Sequence, residues 1–521
     1  MYILRNKEFY FCRKYVYSNI RNFPKTRQFS TMFDTIKNSY KTMEIRKVSI
    51  LEKITKFDLE IKNGLTPTEI YNQFPLAYNT HIIHKRVMES LIRHLRDVYM
   101  IKPTVLKAQN PDLLPFDPTD SPDMVISAGG DGTFLEAASL IPPEQLRPRP
   151  LWLVGLNTDP ERSLGTLCIS YFDRKTFYPF SCNIQDDKTF DSPVYDNNCR
   201  YNYTRHASKK IRFKDFTLEE KWLNVSPHEI AAISRASFDP HEDSTVGSEA
   251  RQLPKPSEYD KDIDFDTYSM TYDEYVRTIL DKLLVHRSLD PIYRQRIRLK
   301  LFKRNSNFGT SASLRANHTS IENALFSEAS SNFSYDDLKT GHSVTNPSFP
   351  HGIVNDVMIA DKFFGKTFYA LIQIDDLPIK RVKSSGVLIT TGTGSTAWAY
   401  NICKTNFTRG SSIIQCLLDH PSIPKDFASK IDNNVVNEVV NCYNEKLKMD
   451  PSKDLLRCII REEISDKATE DASMYTGKQV KVLALAKDAV VCIDGSKTIG
   501  LDYGDVVVFK TFETDIIWSC I

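Results

Sequence analysis

The sequence predicts an α/β domain built on a parallel sheet with helices, followed by a β-rich, mostly antiparallel domain. Three observations predict it. Apolar runs of strand length alternate with helical patterns over the first third of the chain. A glycine cluster closes one of these runs and opens a helix. Beyond Gly165 the helical patterns give way to short β-branched runs. A chain of 521 residues is long enough for two such cores.

Residues 47–51 read as the first strand. Residues 79–100 read as an amphipathic helix, with Ile83, Val87, Leu91, Leu95 and Val98 along one face at spacings of four and three. His81, His84 and His94 lie on it, but no acidic or cysteine partner sits at ligand spacing, so they read as surface or core histidines. Residues 123–128 form a second strand, followed by a glycine loop and a short helix to Ile141. Residues 151–156 form a third strand. This sets an α/β domain at 45–165. Strand-like segments then recur at 211–216, 353–360, 367–374, 387–391, 480–486, 489–493 and 506–512, with a helix at 272–286, which sets the β-rich domain at 166–512. Within it, 237–270 (Asp, Glu, Pro, Ser) and 303–348 (Ser, Asn) read as long or disordered inserts.

Composition removes several classes. The net charge of +2 gives no overall attraction to nucleic acid. No apolar run approaches the roughly 18–20 residues that span a bilayer, so no membrane partner is expected. The cysteines are scattered and form no C-x-x-C pair, which excludes the usual zinc pattern and a disulfide framework and fits a reducing compartment. The N-terminus differs from the rest. Arg5, Lys7, Arg13, Lys14, Arg21, Lys25 and Arg27 face a single acid, Glu8, with apolar residues between them. Residues 1–31 therefore read as a mitochondrial transit peptide, with a matrix-protease-like site at Arg27-Gln28-Phe29-Ser30 and a possible second start at Met32.

Three motifs carry chemistry. Gly129-Gly130-Asp131-Gly132-Thr133 follows a buried strand directly. Three glycines let the backbone turn tightly and approach a ligand, and amides near a helix N-terminus cradle phosphate oxygens. A carboxylate in such a loop would repel phosphate, so Asp131 makes sense as a general base or as a ligand for Mg²⁺ shared with phosphates. The second motif is Thr391-Gly392-Thr393-Gly394-Ser395-Thr396-Ala397-Trp398, after an apolar strand. It mimics a dinucleotide fingerprint weakly, because no acid follows at the right distance. The hydroxyls of Thr393, Ser395 and Thr396 suit a ligand's phosphates or sugar. Trp398 could stack on a flat ring, although an interior role is the more ordinary one. The third motif, Asn355-Asp356, interrupts an apolar strand, and an amide beside a carboxylate can read ribose hydroxyls or an adenine edge. Gly365-Lys366-Thr367 lacks the upstream glycine of a P-loop, and the protein-kinase signatures are absent.

These motifs, in this order, resemble those of the NAD kinase family, and the fold this implies is the NAD kinase-like/diacylglycerol kinase-like one. The likeness covers roughly 45–165 and 290–510. Asn157-Thr158-Asp159 after the third strand, the basic run Arg294-Gln295-Arg296-Ile297-Arg298, and Cys492-Ile493-Asp494-Gly495 resemble the mitochondrial branch. The resemblance implies phosphoryl transfer from ATP, with Mg²⁺, to the adenosine ribose 2′-hydroxyl of NAD, giving NADP in the mitochondrial matrix. It implies Asp131 as catalytic base and Gly129, Gly130, Gly132 and Thr133 on phosphate. It places Asn157, Asn355, Asp356, Thr393, Gly394, Ser395, Thr396, Ala397 and Trp398 around NAD, in a homodimer with no resident metal site. The sequence departs from the family at Asp356 (usually Glu), Gly392 (usually Pro) and Trp398 (usually Tyr). A lipid kinase, a non-catalytic nucleotide-binding regulator and a Rossmann oxidoreductase are the rival readings.

Overall fold

The computed structural model describes residues 44–108, 116–117, 120–143, 150–160, 165–169, 211–213, 268–303, 352–424, 431–464 and 473–520. The transit-peptide segment and nearly all of 237–270 and 303–348 lie outside these residues. The chain divides into two compact units, Met1–Ile45 and Arg46–Ile521. Only residues 44–45 of the first are described, and the architecture below is that of the second.

Its first sheet begins with β1 (Val48–Glu52), β2 (Thr104–Lys107), β3 (Met124–Gly129), β4 (Trp152–Asn157) and β5 (Cys168–Ile169). Strand β2 pairs with β1, β1 with β3, β3 with β4 and β4 with β5, all in parallel. Every residue of β1, β3 and β4 is buried, because helices cover both faces of a parallel sheet, and this is why these strands read as continuous apolar runs. Helices α1 (Lys56–Lys62) and α2 (Pro67–Gln73) each open on a threonine capping box, Thr55 with Asp58 and Thr66 with Glu69. Helix α3 (Pro75–Arg93) starts four residues earlier than the apolar stripe suggests, because Pro75 suits the first helical turn. It buries Ile83, Val87 and Leu91, and a wider turn, His94–Val98, continues it. His84 is core: its Nδ1 lies 3.0 Å from Thr158 Oγ1. Helix α4 (Asp131–Leu140) packs Phe134, Ala137 and Ala138 on Val125, Leu153 and Val354. A short parallel pair, β6 (Ile211–Phe213) and β7 (Tyr268–Met270), precedes α5 (Tyr272–Leu280).

Strand β8 (Pro291–Gln295) joins the first sheet, and β9 (Arg298–Phe302), immediately after it, belongs to another sheet. The remaining strands are β10 (Asp356–Asp361), β11 (Phe368–Ile374), β12 (Lys380–Ser384), β13 (Gly386–Thr390), β14 (Leu456–Arg461) and β15 (Met474–Gly477). They continue with β16 (Gln479–Ala484), β17 (Ala489–Ile493), β18 (Lys497–Leu501), β19 (Val506–Lys510) and β20 (Ile516–Cys520). They form two antiparallel sheets, β15-β14-β13-β10-β17-β18 and β12-β11-β16-β19-β9, while β20 returns between β4 and β8. One apolar core lies between the two antiparallel sheets. Val357 and Ile359 of β10, Phe368 and Ile372 of β11, and Val480 and Val482 of β16 alternate into it. On the outer face of the first of these sheets, Met358, Leu388 and Ile459 pack under α6 (Trp398–Cys403), and α7 (Phe407–Leu418) and α8 (Asn433–Lys446) follow.

The step from β8 to β9 is pinned by a buried ionic cluster. Arg296 Nη2 and Arg298 Nη2 donate to Asp515 Oδ1 at 2.5 and 2.6 Å, and Arg296 Nη1 donates to the Ile141 carbonyl at the end of α4 at 2.6 Å. Burial pushes the Asp515 carboxyl up, but the two guanidiniums outweigh it and hold the group below the usual carboxylate range. Because each charge is paired, the cluster is tolerated in the interior.

Candidate active site

The glycine loop ends β3 and opens α4. Gly130 is the extended cap residue and Asp131 the first helical residue. None of Gly129, Gly130 and Gly132 has a positive φ, so the glycines are not there to make a strained turn. Gly129 is required by crowding: a Cβ would fall 2.3 Å from Thr133 Oγ1 and 3.0 Å from Lys53 Cβ. A Cβ on Gly130 or on Gly132 would meet nothing within 4 Å. The loop is closed on the strand side and open on the other, as a phosphate cradle at a helix N-terminus requires.

The Asp131 carboxylate turns toward residues 165–168. Oδ2 accepts from Thr166 N at 3.0 Å and Thr166 Oγ1 at 3.2 Å, and Oδ1 accepts from Leu167 N at 2.9 Å. Gly165 must be glycine here, since a Cβ would sit 2.5 Å from Asp131 Oδ1. Burial, and next the Asp131 charge, push the Cys168 thiol well above its ordinary value, so it stays protonated beside that carboxylate. A carboxylate has about four lone-pair sites, so these donors fix its orientation and still leave acceptor capacity. Gly165, Thr166, Leu167 and Cys168 were not singled out from sequence. They reach Asp131 because β5 pairs with the end of β4, Gly155 opposite Cys168.

Asn157, at the end of β4, lies directly across from Gly129. It is buried; its Oδ1 accepts from Asp159 N at 2.9 Å, and its carbonyl accepts from the buried Tyr275 hydroxyl at 2.7 Å.

The second glycine loop and the Asn355-Asp356 pair form one unit. Thr391 N and Thr390 Oγ1 donate to the Asn355 carbonyl at 3.0 and 3.1 Å, and Thr391 Oγ1 donates to the Val354 carbonyl. A Cβ on Gly394 would lie 2.2 Å from the Asn355 carbonyl oxygen, and one on Gly392 2.1 Å from that of Asp450. Several hydroxyls are committed to the loop itself. Ser395 Oγ donates to the Gly392 carbonyl at 2.6 Å and accepts from Met449 N at 2.8 Å, and Thr396 Oγ1 donates to the Thr393 carbonyl at 3.0 Å. Thr393 Oγ1 instead accepts from Arg294 Nη1 at 3.3 Å. Ala397 N closes the turn on the Gly394 carbonyl at 2.9 Å. Trp398 is not an interior residue: it is 38% exposed, with the Arg461 guanidinium 5.9 Å from its ring centre.

Strand β10 begins at Asp356, and Asn355 precedes it. Asn355 N and Asp356 N both donate to Asp494 Oδ1 at 3.1 Å. Asn355 Oδ1 is buried and has no partner among the described residues. Burial raises the Asp356 carboxyl to about 6. Burial, against the pull of backbone amides and with the Asp356 charge nearby, raises Asp494 to about 7. Asp494 was visible in sequence only as part of a motif; its service to Asn355 and Asp356 comes from the pairing of β17 with β10. The motifs meet through a shared core, because Val354 packs in the same apolar cluster as Phe134 of α4.

No protein-family model matches the chain. NAD kinase 2, mitochondrial, of Xenopus tropicalis is 24% identical to it over 488 residues, which cover 90% of this chain and 89% of that one. The human protein of the same name is 23% identical over 437 residues, covering 84% of this chain and 72% of its own. The chain is a relative of the mitochondrial NAD kinases. Among solved structures, yeast NADH kinase complexed with NADH aligns with 92% of this chain and 84% of its own at 12% identity, with a TM-score of 0.41. An alignment that loose carries no weight here. The informative point is local: the Asp131 carboxylate is oriented by three donors beside an open glycine loop.

Proposed function

We propose that this protein phosphorylates NAD with ATP, at the 2′-hydroxyl of the adenosine ribose, to give NADP. Its kinship with mitochondrial NAD kinases supports a mitochondrial role, and the basic, nearly acid-free segment 1–31 supports import into the matrix. The observation that carries the reading is Asp131. It sits at the N-terminus of α4, where the loop leaves open space over Gly130 and Gly132, with its oxygens aimed by Thr166 and Leu167.

The amides of the loop and the helix N-terminus take phosphate oxygens of the donor. Asp131 accepts the proton of the 2′-hydroxyl as the oxygen attacks phosphorus. Asn355 and Asp356 hold the adenosine end, with Asp356 accepting from sugar hydroxyls. Thr393 and the backbone of 394–397 line the dinucleotide pocket, and Asn157 completes the floor beside Gly129. Phosphoryl transfer is mostly positioning and charge neutralisation, which is what a rigid, pre-aimed loop supplies. Mg²⁺ would enter with ATP. Such an ion keeps water and phosphate ligands, Asp131 is the side chain that would hold it, and it would neutralise charge on the phosphates. The protein is taken to act as a homodimer, with the exposed apolar residues Ile413 and Leu417 of α7 and Val439 and Tyr443 of α8 available for a subunit contact.

The test is to mix the protein, Mg·ATP and NAD and to follow product with an NADP-specific dehydrogenase. NADP should appear only with all three present. Labelled phosphate found on diacylglycerol or sphingosine and not on NAD would overturn the reading.

A further inference from the structure

Arg294 is the side chain that the proposed reaction has not yet used. It lies on β8, is 1% exposed, and its guanidinium carbon sits 5.6 Å from the ring centre of Phe134 on α4. Nη1 reaches Thr393 of the second glycine loop, while Nε and Nη2 are buried with no partner among the described residues. Its charge also acts on Cys168, which feels the Asp131 charge as well. One guanidinium thus touches the helix of the first loop and the loop of the second, and lies within electrostatic reach of the Asp131 cluster. Its neighbours Arg296 and Arg298 share the buried carboxylate of Asp515. Arg294 shares none.

A buried guanidinium without a counter-ion is costly, and proteins retain such groups where an anion arrives. The planar fork suits two oxygens of one phosphate, and its remaining donors, Nε and one Nη, are the pair that makes such a bidentate contact. We propose that Arg294 is a phosphate-binding residue of the active site, taking oxygens of the phosphate chain that the Gly129-Gly130 loop presents. The inference rests on the phosphotransferase reading above and deepens it. The phosphate could belong to the ATP chain or to the NAD pyrophosphate, and the test separates these sources.

The variants are Arg294→Met, which keeps the length and fills the buried space with apolar atoms, and Arg294→Lys, which keeps the charge. Three measurements are made on the full chain: melting temperature, calorimetric binding of tripolyphosphate and of NAD, and kcat and KM for each substrate. If Arg294 holds donor phosphate, Arg294→Met melts at or above the wild-type temperature, since an uncompensated buried charge has been removed. It binds tripolyphosphate at least about tenfold more weakly and loses about a hundredfold in kcat/KM for ATP, and Arg294→Lys recovers part of both. If the phosphate is that of NAD, the binding loss moves to NAD, and the inference stands with the source assigned. Tripolyphosphate and NAD binding both within twofold of wild type in Arg294→Met would overturn it. So would a large fall in melting temperature in both variants, which would make Arg294 a structural residue. A wild type that makes no NADP sinks the proposed function, while the tripolyphosphate comparison still decides on Arg294.

Discussion

Two glycine-rich loops follow buried strands and open helices, yet they use glycine in opposite ways. In the first, at 129–133, Gly130 and Gly132 face open space, and only Gly129 is pressed against its neighbours. In the second, at 391–398, Gly392 and Gly394 are both pressed on other backbone, and the hydroxyls of Thr391, Ser395 and Thr396 are bound within the protein. The first loop leaves space over Gly130 and Gly132, with its carboxylate aimed by Thr166 and Leu167. The second commits these hydroxyls to its own backbone and to Val354, while Thr391 N and Thr390 Oγ1 fasten it to the Asn355 carbonyl. A glycine motif therefore announces close approach, and only the surroundings say whether the approaching partner is a ligand or the protein's own backbone.

The largest expected effect lies in the open loop. Asp131→Asn keeps the size and most hydrogen bonding of the side chain but cannot take the 2′-hydroxyl proton. A positioned base contributes about 10²- to 10⁴-fold, so turnover should drop at least about a hundredfold while ATP and NAD still bind by calorimetry. Near-normal turnover in this variant would remove Asp131 from the chemistry. Loss of binding together with turnover would assign it to organising the loop.

The glycines themselves can break the comparison. Gly394→Ala places a methyl group into the Asn355 carbonyl, where overpacking typically costs about 1–3 kcal/mol, and the melting temperature should fall by several degrees. Gly132→Ala adds a methyl in open space on a helix, where alanine is favoured by about 1 kcal/mol, so the fold should be as stable or more so. Its effect should appear instead as a raised KM for ATP. If both substitutions lower stability alike, the two loops are not different in kind.

Asp356 tests whether the locked loop serves NAD binding. Asp356→Ala leaves sugar hydroxyls without an acceptor, at about 1–3 kcal/mol, and should weaken NAD by roughly ten- to hundredfold with little change in kcat. With its carboxyl raised to about 6, wild-type affinity for NAD should also fall as the pH drops below 6, and the alanine variant should lack that dependence. Unchanged NAD affinity in the variant would exclude Asp356 from the site.

What was legible in the sequence was local. The first loop declared itself through a buried strand, three glycines and one carboxylate within ten residues, 124–133. The two-part fold was legible because apolar runs alternate with helical patterns before Gly165, whereas short β-branched runs predominate beyond it. What stayed hidden depends on strand pairing across long separations. Cys168 reaches Asp131 through the β4–β5 pairing, and Arg294 reaches Thr393 across about a hundred residues. The same holds for Asp494 beneath Asn355. Nor does the chain betray that Ser395 faces inward and Trp398 outward, since neighbours in one loop differ in burial only once the helix that follows is placed.

The smallest expected effect concerns the support beneath the locked loop. Asp494 is buried under Asn355 and Asp356, and its carboxyl is raised from its ordinary 3.8 to about 7. Between pH 4 and 7 the folded protein therefore holds a proton there that the unfolded chain has released. Stability must fall as the pH rises through this window, and the loss is complete above 7. Asp356, raised to about 6, acts in the same direction over a narrower range. Asp494→Asn keeps an oxygen that can accept from the two amides and removes the charge. Its melting temperature should match that of the wild type near pH 4 and exceed it by a few degrees at pH 8. Thermal melts of both proteins across that range read the difference directly. A gap that is the same at every pH would show that Asp494 does not titrate in the folded protein. A gap that widens toward acid would reverse the sign, and would mean that the charged carboxylate is what holds Asn355 and Asp356 in place.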